Sequence, residues 1–273
     1  MSADRAAPKI SVCLVTYNQE MWVSQAIESV LTQRTSFDIE LVIGEDHSTD
    51  RTRDTVSAFA RQHPGRIRVL LQDANRGLLA NFSDTFAACR GEYVALIDGD
   101  DYWTSPDKLE QQARFLDAHP ECTICFHDTA VLLPDGNFCP DNYTSPSQKR
   151  ISTLTDLFET NFIATCSAMV RRSAVPTLPS WYKDCCWEDW PLYILLAERG
   201  SIGYLPEVMA VYRSHGQGLW SGLGVSEQLE HTIDFLTRLD AHLDHRHSQA
   251  INASILKHRA RLAAVRASQR HCS

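Results

Sequence analysis

The sequence lacks any apolar run long enough to cross a membrane. Its longest apolar stretches, such as residues 10–15 and 93–97, fall well short of the roughly 20 residues that a spanning helix needs. The N-terminal residues 1–9 are polar and lack the apolar segment of a secretion signal. Together these two absences predict a cytoplasmic location.

Positive charge is also scarce. The 273 residues carry 26 Lys and Arg against 34 Asp and Glu, a formal net charge of −8. A protein that holds a nucleic-acid backbone usually presents a basic stripe, so we expect no nucleic-acid partner. With 44% hydrophobic and 22% charged residues, the composition excludes disordered and collagen-like chains. The length favours one large domain or two small ones.

A regular cysteine framework is absent as well. The nine cysteines are odd in number and irregularly spaced, so free thiols in a reducing compartment are expected. Cys122, Cys125, His127 and Cys139 would permit a zinc site. A structural zinc site normally pairs two such couples at recognisable spacing, and buried strand cysteines are therefore the favoured interpretation.

The first half of the chain alternates strand-like and helix-like hydrophobic periods. Strands are predicted at 9–17, 39–43, 67–71 and 93–97, and helices at 21–33, 49–63, 78–89 and 108–119. Strands spaced by helices of this length pair in parallel through right-handed crossovers. The predicted fold class is α/β, an open doubly wound, mainly parallel sheet with flanking helices.

The second half is less regular, with smaller antiparallel elements expected. Strands are predicted at 123–133, 163–170, 202–205 and 208–213, a loop at 134–147, and helices near 155–160 and at 191–199. The tail, 226–273, is helix-permissive and its last part accumulates Arg and Lys without Asp or Glu. A docked helix with a solvated end is favoured there over a basic surface that contacts anionic lipid or another subunit.

A carboxylate cluster follows the fourth strand directly. In an open α/β sheet, ligands bind outside the carboxyl ends of the strands, and Asp98, Asp100 and Asp101 lie there within about 10 Å of one another. A divalent cation such as Mg²⁺ or Mn²⁺ would neutralise them, because these ions take oxygen ligands. The alternative is a solvated acidic turn, with Asp107 capping the next helix.

Several motifs in sequence order narrow these alternatives. They are Thr16-Tyr17-Asn18, Glu45-Asp46-His47-Ser48, Gly91-Glu92-Tyr93, Asp98-Gly99-Asp100-Asp101, Glu188-Asp189-Trp190 and Tyr212-Arg213-Ser214-His215. Across roughly residues 9–220 this order resembles the family 2 glycosyltransferases with the GT-A fold. The resemblance implies a single GT-A domain over 1–225, with a nucleotide half at about 8–120 and an acceptor half at about 121–225, followed by a helical extension at 226–273.

The resemblance also implies roles for individual residues. Tyr17 would lie against the nucleobase and Asp46 would accept its imide N–H, as in relatives that use uridine or thymidine diphospho-sugars. The implied Mn²⁺ or Mg²⁺ ligands are Asp100, Asp98 and His215, with Asp101 left open. The implied substrate-binding residues are Thr16, Tyr17, Asn18, Asp46, Asn75, Asp98, Glu188, Trp190 and Arg213, the last at the diphosphate.

The catalytic base is expected at Asp189, next to Glu188 and beside two tryptophans. Displacing a nucleoside diphosphate from an anomeric carbon requires a base for the acceptor hydroxyl and a cation for the departing phosphates. In the resemblance the second acidic residue is the general base of an inverting enzyme. The alternative is an N-cap before Pro191, a role compatible with catalysis.

The implied function is inverting, metal-dependent sugar transfer to a glycan or glycolipid hydroxyl in cell-surface polysaccharide synthesis, in the cytoplasm or at the inner membrane face. The tryptophans suit a carbohydrate acceptor, and four glycines in residues 216–224 suit a closing loop.

Two alternatives to this function stay open. One is a nucleotidyltransferase, which is disfavoured because no Gly-rich basic loop follows the first strand. The other is a non-catalytic nucleotide-sugar binding module of the same fold.

Overall fold

The computed structural model describes residues 7–216 and 218–271, with only the backbone described at 269–271. The strands are β1 (Ile10–Thr16), β2 (Ile39–Glu45), β3 (Ile67–Leu71), β4 (Tyr93–Asp98), β5 (Tyr102–Trp103), β6 (Cys122–Leu132), β7 (Ile151–Ser152), β8 (Met169–Arg171) and β9 (Ser201–Arg213). The α-helices are α1 (Val23–Leu31), α2 (Thr52–Gln62), α3 (Leu78–Ala88), α4 (Lys108–Ala118), α5 (Asp189–Ala197), α6 (Val225–His242) and α7 (Ser248–His271).

The strands form one mixed sheet in the order β3-β2-β1-β4-β8-β6-β9-β5, with β7 also paired to β9. β1 pairs in parallel with β2 and β4, and β2 with β3. β8 runs antiparallel between β4 and β6, whereas β6 and β9 are parallel. The predicted α/β class, with a mainly parallel sheet and smaller antiparallel elements, is confirmed.

Helices cover both faces of the sheet. Successive side chains of a central strand therefore point to opposite faces and are apolar on both. Along β1, Ile10, Val12 and Leu14 pack towards α1, α2 and α4. Cys13 and Val15 point to the opposite face, where they join the core formed with α3, α5 and the C-terminal helices. Burial on both faces is why β1 is a continuous apolar run and why its position was predictable.

Three predictions for the second half were wrong in detail. The expected strand at 163–170 is a 3-10 turn, Thr165–Ser167, followed by the short strand β8. Ser167 closes this turn, because its hydroxyl and its backbone N–H both donate to the Ala164 carbonyl. The two strands expected at 202–205 and 208–213 are one strand, β9, whose pairing with β6 shifts register at Asp128. The helix expected near 155–160 is a 3-10 helix, Leu154–Phe158.

The C-terminal tail forms two helices where one was expected. The break follows α6, where Asp244 and His245 adopt positive φ angles of 50° and 59°. Phe235 and Leu236 of α6 join the same hydrophobic cluster as Trp187 and Trp190. Among the described residues, no helix combines the length and apolarity that crossing a membrane requires.

The cysteines considered for zinc lie in or beside β6. Cys122 and Cys125 are buried free thiols, and Cys139 is a partly exposed one. The His127 ring is buried and its Nδ1 bonds at 2.7 Å to the Asp128 carbonyl. These contacts agree with the interpretation as buried strand residues.

Candidate active site

A cleft of about 820 Å³ opens at the carboxyl edge of β1, β2 and β4. Parallel strands bring their carboxyl ends to one edge, so loops that are distant in sequence meet there. All twelve site residues predicted from the sequence line this cleft: Thr16, Tyr17, Asn18, Asp46, Asn75, Asp98, Asp100, Glu188, Asp189, Trp190, Arg213 and His215. Residues of α6 and α7 line it as well.

The turn after β4 gathers three carboxylates. Oxygen atoms of Asp98, Asp100 and Asp101 lie within 4.8 Å of one another. The Gly99 N–H donates to the Val15 carbonyl at 3.0 Å, which holds the turn against the end of β1. A side chain at Gly99 would meet Thr16 Oγ1 at 2.6 Å, so the close approach requires glycine.

The electrostatics of this turn disfavour three separate negative charges. Burial, followed by the charges of Glu188 and Asp100, raises the pKa of Asp98 well above its usual range. Burial and Asp100 likewise raise the pKa of Asp101. One Asp101 oxygen accepts the Arg213 N–H at 2.9 Å, while the other is buried without a hydrogen-bond partner in the described structure. An all-oxygen donor set of this kind fits Mg²⁺ or Mn²⁺.

Two side chains at and just after the end of β9 approach the same turn. His215 Nε2 lies 2.9 Å from Asp100 Oδ2, and its ring stacks on Trp22 with centroids 4.3 Å apart. The Arg213 guanidinium donates to the Asp100 carbonyl and lies 4.6 Å from the Tyr102 ring centroid. The structure thus brings the predicted ligand His215 and the predicted diphosphate contact Arg213 to Asp100.

The nucleotide side of the cleft is built from the loops after β1 and β2. Asn18 ties them together, since its Oδ1 accepts the Thr49 N–H at 2.8 Å and its own N–H donates to Ser48 Oγ at 2.9 Å. Asn18 and His47 adopt left-handed φ angles of 52° and 61°. Tyr17 is 42% exposed and therefore available to a ligand.

Asp46 is almost fully buried and anchors the loop that leads into α3. Its two carboxylate oxygens accept the backbone N–H groups of Arg76 at 2.8 Å and Gly77 at 2.9 Å. Asn75 Oδ1 also accepts the Gly77 N–H, at 3.0 Å. Each carboxylate oxygen has two acceptor sites, so Asp46 retains capacity for a donor group of a ligand.

Asp189 also lines the cleft, at the first residue of α5. Its Oδ2 accepts hydrogen bonds from Asn161 Nδ2 at 2.7 Å and from Thr165 Oγ1 at 3.4 Å, and its Oδ1 accepts the Trp190 N–H at 2.6 Å. Burial raises the pKa of Asp189 to about 6, although these hydrogen bonds oppose the rise. A carboxylate with this pKa is ionised at neutral pH and able to accept a proton.

Glu188 immediately precedes α5 and is buried. Burial and the neighbouring charge of Asp189 raise the pKa of Glu188 to about 8. It occupies the N-cap position of α5 and makes no side-chain capping hydrogen bond to the helix. Burial thus favours the neutral form of both adjacent carboxyls, and the hydrogen bonds that Asp189 accepts oppose this effect at Asp189.

Three tryptophan side chains, Trp187, Trp190 and Trp220, line the cleft near Asp189. Trp187 and Trp220 meet edge to face with centroids 4.7 Å apart, and Trp220 is 38% exposed. Trp190 is 5% exposed and its indole N–H donates to the Leu157 carbonyl at 2.9 Å. Trp190 therefore packs in the core as well as lining the cleft.

Sequence reasoning missed several residues of the cleft. Asn161 and Thr165 position Asp189 from 28 and 24 residues away, and Trp22 supports His215 from α1's N-terminal end. His258 and Arg261 reach the cleft from α7. No local pattern marks these residues, because only the tertiary fold brings them to the motifs.

Sequence comparison places this chain in a known family. Residues 11–178 match the family described as Glycosyl transferase family 2. An uncharacterised protein of Mycobacterium tuberculosis is 41% identical over 212 residues, which cover 77% of this chain and 60% of that protein. An uncharacterised glycosyltransferase of Nostoc is 31% identical over 254 residues, covering 85% of this chain and 76% of that protein. The chain belongs to glycosyl transferase family 2.

Solved structures share the fold at low sequence identity. S. aureus TarS in complex with UDP-GlcNAc has a TM-score of 0.65 and 18% identity, covering 90% of this chain and 71% of that chain. A mannosyltransferase from Pyrobaculum calidifontis, in complex with GDP-Man and Mn²⁺, has a TM-score of 0.62 and 17% identity, covering 95% and 76%. These neighbours are GT-A glycosyltransferases, and the predicted GT-A fold is confirmed. The chain spans only 60% of the mycobacterial relative's length.

Proposed function

We propose that this chain catalyses inverting, metal-dependent transfer of a sugar from a nucleoside diphospho-sugar to a hydroxyl group of a glycan or glycolipid. One observation carries the proposal. A cluster of three aspartates that fits a divalent cation and a separately positioned carboxylate, Asp189, line the same cleft. Transfer from an activated sugar needs both parts: positive charge at the leaving diphosphate and a base at the acceptor.

The cation-binding residues in this proposal are Asp98 and Asp100, with His215 beside them. When bound there, Mg²⁺ or Mn²⁺ would stabilise the negative charge that develops on the departing diphosphate. Arg213 presents its guanidinium at the same turn, and a guanidinium matches the geometry of phosphate oxygens. We expect Arg213 to bind the diphosphate.

The proton chemistry belongs to Asp189. Its ionised carboxylate removes the proton of the acceptor hydroxyl while that oxygen attacks the anomeric carbon. The bond from this carbon to the phosphate oxygen breaks, and the nucleoside diphosphate leaves with the bonding electrons. One displacement inverts the anomeric configuration. Asn161 and Thr165 hold the carboxylate in place through their hydrogen bonds.

The donor that we propose is linked to UDP or dTDP. Tyr17 offers an exposed ring to a base, and Asp46 retains acceptor sites for an imide N–H. Binding of UDP-GlcNAc by the similar fold of TarS supports a nucleoside diphospho-sugar. As acceptor we propose a cell-surface glycan or glycolipid precursor at the cytoplasmic side, since sugar faces pack well on indole rings such as that of Trp220.

The test is Asp189→Asn, assayed by release of nucleoside diphosphate. We expect the transfer rate to fall by about 10²- to 10⁴-fold, the usual contribution of a general base, while the Kd for UDP with Mn²⁺ stays unchanged. Asp184→Asn, which alters an exposed carboxylate of the preceding 3-10 helix, serves as the control. Near-normal turnover by Asp189→Asn would show that the base lies elsewhere.

The same assay separates the two alternatives. A nucleotidyltransferase would release pyrophosphate instead of nucleoside diphosphate. A binding module would bind a nucleoside diphospho-sugar in the presence of metal without transferring or hydrolysing it. A thermal-shift screen of UDP-, dTDP- and GDP-sugars with Mn²⁺ identifies the donor to use, because selective binding to the native state raises the Tm.

A further inference from the structure

The last helix supplies two basic side chains to the cleft. His258 and Arg261, one turn apart on α7, lie among the residues that line it. They come from outside the matched family segment, residues 11–178. Ile251, Ile255 and Leu262 are buried, so this edge of α7 is fixed against the rest of the molecule.

Arg261 lines the cleft and, unlike Lys257 and Arg266 on the same helix, forms no ion pair with a described carboxylate. Lys257 pairs with Glu159 at 2.5 Å, and Arg266 pairs with Glu230. Among the described side chains, no carboxylate lies within ion-pair distance of the exposed Arg261 guanidinium. An unpaired guanidinium at a cleft that is otherwise rich in carboxylates indicates a binding group for an anion.

The position of Arg261 relative to Asp189 decides which substrate this anion belongs to. His258 contacts the backbone of Glu159, and two residues later Asn161 donates to Asp189. Thr160 and Asn161 line the cleft between them. The basic edge of α7 is therefore connected to Asp189 through residues 159–161. We assign it to the acceptor side.

We propose that Arg261, with His258 beside it, binds an anionic group, carboxylate or phosphate, carried by the acceptor; this inference rests on the proposed function. A guanidinium binds either group through two parallel N–H···O hydrogen bonds. The acidic cleft would otherwise repel a negatively charged acceptor. Arg261 thus selects acidic acceptors.

The experiment measures binding without requiring turnover. Glucose, glucuronic acid and glucose 6-phosphate are titrated calorimetrically into the full chain with UDP and Mn²⁺ at saturation, so that the donor site is filled. We expect the wild type to prefer both charged sugars over glucose. Arg261→Gln should weaken each charged sugar by about tenfold or more, and Arg261→Lys should retain part of the affinity.

Arg259→Gln is the matched control, since Arg259 is exposed on the same helix and does not line the cleft. Its affinities should equal those of the wild type. A preference for only one charged sugar assigns the anion as phosphate or carboxylate. The proposal is overturned if the wild type prefers neither charged sugar, if Arg261→Gln and Arg259→Gln behave alike, or if Arg261→Gln loses UDP. Donor turnover, measured separately, tests the proposed function.

Discussion

Among single residues, Asp189 shows how opposing effects set the pKa of a proposed catalytic base. Burial favours its neutral form, while hydrogen bonds from Trp190, Asn161 and Thr165 favour the ionised form. The balance leaves its pKa at about 6. Such a group remains ionised at neutral pH yet binds a proton more readily than an exposed aspartate does.

Asn161→Ala tests this balance through the pH dependence of kcat/KM. The base must be ionised, so in the wild type activity falls as the pH drops through about 6. Removing the Asn161 donor destabilises the carboxylate and raises the pKa of Asp189, which moves the acid limb upward by about one pH unit. The measurement is kcat/KM for the acceptor, obtained at each pH from initial rates at saturating donor.

Asn142→Ala provides the matched control for that profile. Asn142 donates to the Asp128 carboxylate at 2.7 Å, away from Asp189, so this variant should keep the wild-type acid limb. If Asn161→Ala leaves the limb in place, Asn161 does not tune the base.

Asp100→Asn tests the cation site at the same scale. The crowded carboxylates of the turn are stabilised when a divalent cation binds, so Mn²⁺ should raise the Tm of the wild type and EDTA should reverse the rise. The shift should largely disappear in Asp100→Asn. Asp107→Asn alters an exposed carboxylate just before α4 and should retain it. An equal Mn²⁺ shift in Asp100→Asn and the wild type would argue against this turn as the metal site.

At the scale of elements, the approach of the turn after β4 to the loop after β1 determines the nucleotide side. Gly99 permits this approach, as an added Cβ would meet Thr16 Oγ1 at 2.6 Å and Thr16 Cβ at 2.8 Å. Thr16 and Gln19 in turn share a 2.7 Å hydrogen bond. A change at Gly99 therefore displaces the loop that carries Tyr17 and Asn18.

Gly99→Ala should weaken UDP binding by about tenfold or more and destabilise the fold by about 1–3 kcal/mol, the usual cost of overpacking. Gly44→Ala is the comparison, because its Cβ would overlap Thr85 Oγ1 beneath α3 instead of the turn. It should cost similar stability with little change in the Kd for UDP. Equal losses of UDP affinity in the two variants would indicate general destabilisation. Calorimetric titration and thermal unfolding supply both quantities.

Helices and strands were predictable from the sequence wherever the period of their hydrophobic residues determines them. The first four strands and the helices α1 to α4 follow hydrophobic periodicity, and their bounds differ from prediction by only a few residues. The segment at 163–170 failed because its apolar residues fit a strand, whereas Ser167 closes a 3-10 turn within it. Periodicity cannot register such a side-chain bond to the backbone.

At the scale of the whole molecule, the C-terminal helices line the cleft and join its supporting core. Phe235 of α6 is 2% exposed, and its ring lies 5.2 Å from that of Trp190 and 6.0 Å from that of Trp187, measured between centroids. The predicted extension at 226–273 thus shares its hydrophobic core with the residues on either side of Asp189. Stability and site geometry are coupled through this packing.

Phe235→Ala should lower the free energy of unfolding by about 3–5 kcal/mol, the range for removing a buried Phe side chain. Activity should fall with it, because Trp187 and Trp190 lose their support. Leu256→Ala, at a side chain 64% exposed on α7, should change stability by less than about 0.5 kcal/mol. Denaturant unfolding gives both values. A wild-type stability for Phe235→Ala would mean that the helices form an independent unit.

The fold shows where part of the net charge of −8 is located. Asp46, Asp98, Asp100, Glu188 and Asp189 line one cleft, so part of the acidic excess is concentrated at the site. A divalent cation would offset two of these charges. The proposed contact with Arg261 would supply the positive charge that an acidic acceptor needs in this cleft.

The sequence by itself determined the alternation of strands and helices, the edge of the sheet at which ligands bind, and the motif residues that meet there. It could do so because burial imposes a period on each element and parallel strands share one carboxyl edge. Only the tertiary structure decided which residues support those motifs. Asn161 reaches Asp189 across 28 residues, and α7 delivers Arg261 to the cleft. Such contacts depend on how elements pack against one another, and local sequence patterns carry no record of that packing.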